Sequence, residues 1–164
     1  MAEDKFISLV TSQAWRGQLA AILLAHQSPK EVEQSDLHQM LVHYAFGGDW
    51  KTAAKYYIGQ KKPVPASIVK GILDNLERPK KRGRNARKEQ RAEQLADDIA
   101  CFLATEHLMK KKGKRLKVSP ACEQVGARMA GKCMSRQAVS DARERGLAGI
   151  QALEAQSLKL QENL

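Results

Sequence analysis

Between Ala86 and about Lys112, the apolar residues Leu95, Ile99, Phe102, Leu103 and Met109 recur at three- and four-residue steps. That spacing places them on one face of an α-helix, and Ala92, Ala96 and Ala100 add helix propensity between them. The stretch predicts the longest helix of the chain. It carries four acids, Glu93, Asp97, Asp98 and Glu106, with no suitably spaced histidine or cysteine. The expectation is a solvated acidic face, with no metal centre and no acid/base pair.

The same periodicity fills the chain on either side. Residues 4–27 predict one or two helices, with Phe6, Leu9, Val10 and Ala14 on one face and Leu19, Ile22, Leu23 and Leu24 continuing the apolar character. Ser28-Pro29 stops the pattern. Ser35 or Asp36 is the expected cap of the next helix, through Leu37, Met40, Leu41, Tyr44 and Ala45, which Gly47-Gly48 ends. Asp49 caps a further helix that presents Trp50, Ala53, Ala54, Tyr57 and Ile58 inward and closes at Gly59. Pro65 sits near the start of another, carrying Ile68, Val69, Ile72, Leu73 and Leu76. The fold class is therefore all-α. A small N-terminal helical unit (residues 1–77), suited to assembly or partner contacts, is followed by a basic connector (78–91) and a second helical unit (92–164).

Charge is distributed unevenly. The chain carries a net +10, yet residues 1–77 balance to zero, and the excess lies in two clusters of +7 (78–91) and +6 (110–117). Clustered cations favour an anionic polymer, because each neutralised phosphate releases counterions. The candidate phosphate ligands are Lys80, Lys81, Arg82, Arg84, Arg87, Lys88 and Arg91 in the first cluster, and Lys110, Lys111, Lys112, Lys114, Arg115 and Lys117 in the second. Their placement at the two ends of the long helix separates them by ~30 Å at 1.5 Å per residue. Arg82-Gly83-Arg84 resembles the core of an AT-hook, an arm that enters the narrow minor groove of A·T-rich DNA, although the flanking prolines of that family are absent.

Other features narrow the function classes. Cys101, Cys122 and Cys133 are odd in number and have no CxxC spacing, so free thiols in a reducing cytoplasm are expected. Met1 to Asp4 is acidic rather than basic and no apolar core follows, so no signal peptide is expected. The longest apolar run, Leu19 to Ala25, is too short to span a bilayer. His38 and His43 are five residues apart, not on one helix face, and are read as surface histidines. Trp50, Tyr56 and Tyr57 admit a base-stacking or protein-binding patch, with core packing the preferred reading. No Ser/His/Asp order, HExxH or glycine-rich phosphate loop occurs, so no catalytic residue, cofactor or metal is expected.

Ser119 to Arg145 carries the most specific pattern. Ser119-Pro120 predicts a helix start, with the serine at the N-cap and the proline at N1. Ala121, Val125 and Met129 form an apolar stripe, Gly131 and Lys132 interrupt it, and Ser135 caps a second helix with Val139 and Ala142 inward. This arrangement resembles the helix-turn-helix of bacterial and phage DNA-binding proteins over about one sixth of the chain. It departs from that family in placing three residues, Lys132, Cys133 and Met134, between the turn glycine and the capping serine. The resemblance implies that Arg136, Gln137, Ser140 and Arg143 face bases or phosphates, arginine suiting guanine and glutamine adenine. Beyond Arg145, Gly146 and Gly149 weaken the helix, and Ile150, Leu153, Leu160 and Leu164 form a series too short for a coiled coil, suited equally to packing across another subunit in a homodimer or to folding back on its own domain.

These readings converge on a non-enzymatic, cytoplasmic, nucleic-acid-binding protein, with DNA favoured over RNA. It would be a transcription regulator or a phage or mobile-element accessory protein. The alternative is an adaptor or inhibitor in a nucleoprotein complex, whose basic clusters meet RNA or an acidic protein surface.

Overall fold

The computed structural model describes residues 4–27, 34–77, 84–111, 113 and 115–162. Among the described residues there are eight helices and no strands: α1 (Lys5–Thr11), α2 (Gln13–Gln27), α3 (Gln34–Phe46), α4 (Trp50–Gly59), α5 (Ala66–Glu77), α6 (Arg84–Lys110), α7 (Val118–Arg128) and α8 (Arg136–Glu162). The all-α class is therefore as expected. No helix among the described residues is long and apolar enough to cross a membrane.

The chain forms two compact units, one of Met1–Trp15 with Gln94–Leu164 and one of Arg16–Glu93. This division differs from the boundaries expected of the sequence. From Arg84 onward the expected connector is the start of α6, and α1 belongs with the C-terminal helices. The physical reason is burial: Ile7 and Val10 of α1 enter the core formed by Cys101, Ala104 and Leu108 of α6, Ala121, Cys122 and Val125 of α7, and Val139 and Ala142 of α8.

Asp4 caps α1 by accepting the Phe6 N–H at 3.2 Å. At Ser12 the backbone turns extended, and the Ser12 hydroxyl accepts the Trp15 N–H to start α2. The break changes which face of α1 is buried. Ile7, Val10 and Thr11 point inward, whereas Phe6 and Leu9 are exposed and Ala14 lies on another helix. Phe6 stacks on His107 at 4.6 Å instead.

Helix α7 starts one residue before Ser119. Lys117 is its N-cap in extended conformation with no side-chain cap, and Pro120 is the third helical residue. Proline fits there because first-turn N–H groups have no partner within the helix. The expected stripe of Ala121, Val125 and Met129 is buried. Ser135 caps α8 by accepting the Ala138 N–H at 3.2 Å. Gly146 and Gly149 do not end α8, which equals α6 in length at 27 residues. They let it approach closely: a Cβ on Gly146 would overlap the Asp98 carbonyl, and one on Gly149 would overlap Leu95.

In the second unit, Val42, Ala53 and Ile68 of α3, α4 and α5 form a core flanked by Phe46, Trp50, Tyr57 and Ile72. Asp49 caps α4 through the N–H groups of Lys51 at 2.9 Å and Thr52 at 3.3 Å. Helix α3 is already under way at Gln34, ahead of the expected caps at Ser35 or Asp36. Ile58, Val69 and Leu73 are exposed rather than core residues. Gly71 admits the Trp50 ring, which a Cβ would meet at 2.5 Å.

Candidate nucleic-acid interface

The acids of α6 do not form a solvated face. Asp97 and Asp98 are 1 % and 3 % exposed, and each is matched by a cation of the α7–α8 segment. The Lys132 ammonium lies 2.5 Å from Asp97, and Arg145 donates twice to Asp98, Nε at 2.9 Å and Nη2 at 3.0 Å. Glu106 accepts from Arg143 Nη2 at 2.6 Å and pairs with Lys110 at 2.9 Å. Buried carboxylates require such partners, because an unpaired charge out of water is costly. The Arg143 guanidinium holds the Glu106 carboxyl below its ordinary range, with Lys110 adding to the effect. Asp98 in turn raises the Arg145 guanidinium.

These pairs decide which cations face outward. Arg143, expected to contact bases or phosphates, is half-buried with its guanidinium on Glu106. Its Nε is buried and makes no hydrogen bond. Ser140 is also half-buried. Arg136 and Gln137 are exposed on the first turn of α8, whose Val139 and Ala142 are buried. Gln137 donates to Asp141 at 2.8 Å, so its amide is oriented by its own helix.

Among the second cluster, Lys111 pairs with Asp4 at 2.7 Å and Lys110 with Glu106. The Lys111 ammonium, with His107 in support, holds the Asp4 carboxyl well below the usual carboxylate range. Arg115 and Lys117 are exposed, with no ion-pair partner among the described residues. Lys112 and Lys114 lie outside the described residues.

The first cluster is less fully described. Lys80, Lys81 and Arg82 lie outside the described residues, and with them most of the AT-hook-like triplet. Arg84 is the first residue of α6, where Arg87 and Arg91 are exposed and Lys88 is half-buried. They belong to the second unit, whereas Lys110 to Lys117 and Arg136 belong to the first.

Another cation of the first unit, beside the hairpin, was not singled out by sequence reasoning. Arg128, the last residue of α7, is exposed and lines a cavity of about 330 Å³ with Ser8, Thr11, Ser12 and Ala130. Its only sequence signal is a position just before the turn glycine. The hairpin is fastened to α1 beside it, since the Ala130 N–H donates to the Thr11 carbonyl at 3.2 Å.

The thiols are uncrosslinked: Cys101 and Cys122 are buried and Cys133 is exposed. Burial raises the Cys122 thiol above its ordinary range, which disfavours the reactive thiolate. Among the described residues no group of three or more His, Cys, Asp or Glu could hold a metal ion. Comparison with protein families, curated proteins and solved structures gives no match for this chain.

Proposed function

We propose that the unit containing α7 and α8 binds nucleic acid, duplex DNA before RNA, in a non-enzymatic role such as a cytoplasmic regulator or a phage or mobile-element accessory protein. The observation that supports this best is the first turn of α8. Arg136 and Gln137 are exposed there, while Val139 and Ala142 anchor the helix in the core and Ser135 caps it. A rigid helix end carrying one arginine and one glutamine suits guanine and adenine edges in a major groove. Arg115, Lys117 and Arg128 are exposed in the same unit and suit phosphates.

The test is selection from a random duplex pool at about 150 mM salt, where non-specific attraction is weak. An enriched motif that is lost in R136A/Q137A supports sequence reading. Retention without enrichment, or equal loss of specific and non-specific binding, removes the readout role.

A second reading draws on the end of α8. Leu158 and Leu160 are 62 % and 59 % exposed, and Ile150 and Leu153 lie on the preceding turns. Such a helix end suits a homodimer or a protein partner. With Lys132, Arg143 and Arg145 engaged inside the unit, it supports an adaptor or inhibitor within a nucleoprotein complex.

A further inference from the structure

Residues 1–77 are neutral in sum, which conceals a strongly one-sided segment. Between Asp49 and Asp74 there is no acid, and there are five lysines: Lys51, Lys55, Lys61, Lys62 and Lys70. All five are exposed, and none has an ion-pair partner among the described residues. Lys51 and Lys55 are one turn apart, so they share a face of α4. Lys61 and Lys62 follow its C-terminal end in a turn held by the backbone. Their N–H groups donate to the carbonyls of Ile58 at 2.9 Å and Tyr57 at 3.0 Å.

An aromatic ring accompanies these charges. Tyr56 is 53 % exposed, so the core-packing reading does not hold for it. Its ring lies 5.6 Å from Phe46 and 5.8 Å from Tyr57, so aromatic neighbours support it while about half of the residue stays open to solvent. Exposed cations and an exposed ring on the solvent side of one helix match the needs of a strand whose bases are unpaired: charge for the phosphates and a π-face for a base. A duplex hides its base faces in the stack and cannot use the ring. An anionic membrane fits less well, because an interfacial helix needs a wide apolar face to insert. On α4 that face (Trp50, Ala53 and Tyr57) is spent in the core of the unit, leaving Ile58 as its one large exposed aliphatic residue.

We propose that the surface of α4 bearing Lys51, Lys55 and Tyr56, extended by Lys61 and Lys62, binds single-stranded nucleic acid. This site shares no residue with the α8 reading and does not depend on it.

The test uses the full chain and fluorescence anisotropy of a labelled 20-nucleotide oligothymidylate, about the scale of one or more such sites. Y56A should weaken binding roughly 5- to 100-fold, with Y56F restoring most of it. K51Q/K55Q, which removes only exposed charge, should reduce the salt slope by about 0.7 for each lost phosphate contact. Circular dichroism of each variant checks that the helices persist. R136A/Q137A should lower duplex binding while oligothymidylate binding persists, which separates a failure of one site from a failure of the other. Unchanged oligothymidylate affinity and slope in both α4 variants would overturn the proposal. So would binding to phosphatidylserine vesicles that depends on these residues while oligothymidylate binding does not.

Discussion

Arg145 of α8 holds Asp98 of α6 by two hydrogen bonds, Nε to Oδ2 at 2.9 Å and Nη2 to Oδ1 at 3.0 Å, and its neighbour Gly146 lies against the Asp98 carbonyl. The two contacts depend on each other. The glycine brings the helices close enough for the guanidinium to reach a carboxylate that is 3 % exposed at the level of the residue. Bidentate pairing then fixes the rotation of α8, and so which of its residues turn outward.

The pair is unequal in burial, with the Arg145 side chain 53 % and the Asp98 side chain 4 % exposed. Removing the arginine strands a buried carboxylate, to which the Gln94 amide at 3.0 Å still donates. Removing the acid leaves an arginine that water can solvate. R145A should therefore cost about 2–4 kcal/mol, near the low end for breaking a buried pair, and D98N only about half of that. Urea unfolding of both variants checks this, and a D98N cost equal to or above that of R145A contradicts the asymmetry.

Gly146 and Gly59 should respond oppositely to alanine. A Cβ at Gly146 meets backbone that cannot step aside, so G146A should destabilise by about 1–3 kcal/mol despite its better helix propensity. A Cβ at Gly59 meets nothing within 4 Å and the residue has no positive φ, so G59A should stabilise by about 0.4–1 kcal/mol. Thermal unfolding of the two variants reads both signs.

Acid should loosen α1 from its unit. Asp4 and Glu106 have folded-state affinities for protons below their unfolded values, because cations face them. Their stabilisation is complete above the unfolded carboxylate range, about pH 4, and is lost as pH falls further through the lowered folded values. Protection factors of the α1 amides, which remove the intrinsic pH dependence of exchange, should fall below about pH 4, and K111Q should diminish that fall. An unchanged pH dependence in K111Q would show that the Asp4–Lys111 pair contributes nothing to it.

For the proposed duplex interface, Arg115 and Lys117 are the cations of the second cluster free of internal pairs among the described residues. Replacing both with Gln should flatten the logarithmic salt dependence of duplex binding by about 0.9 for each lost phosphate contact. K110Q should change the slope less, since Lys110 is paired with Glu106. An equal effect of all three would mean that the Glu106 pair opens on binding.

Much of the local structure was legible in the residues. Asp49 and Ser135 cap the helices expected of them, and Ala121, Val125 and Met129 form the stripe that their spacing predicts. These features depend on neighbours within four residues. The acids of α6 were misread because their partners, Lys132, Arg143 and Arg145, are 35 to 47 residues away. Spacing along one helix cannot distinguish a solvated carboxylate from one that a distant guanidinium covers.

By itself, the sequence determined the helical class, most helix ends and the positions of the basic clusters, because propensity, capping and composition are local properties. Tertiary structure decided that α1 joins the C-terminal helices, that Arg143 and Arg145 pair with acids of α6 while Arg136 stays out, and that Tyr56 is exposed on the helix that carries Lys51 and Lys55. Those outcomes depend on which face of each helix finds apolar surface or an opposite charge elsewhere in the chain, and packing alone settles that.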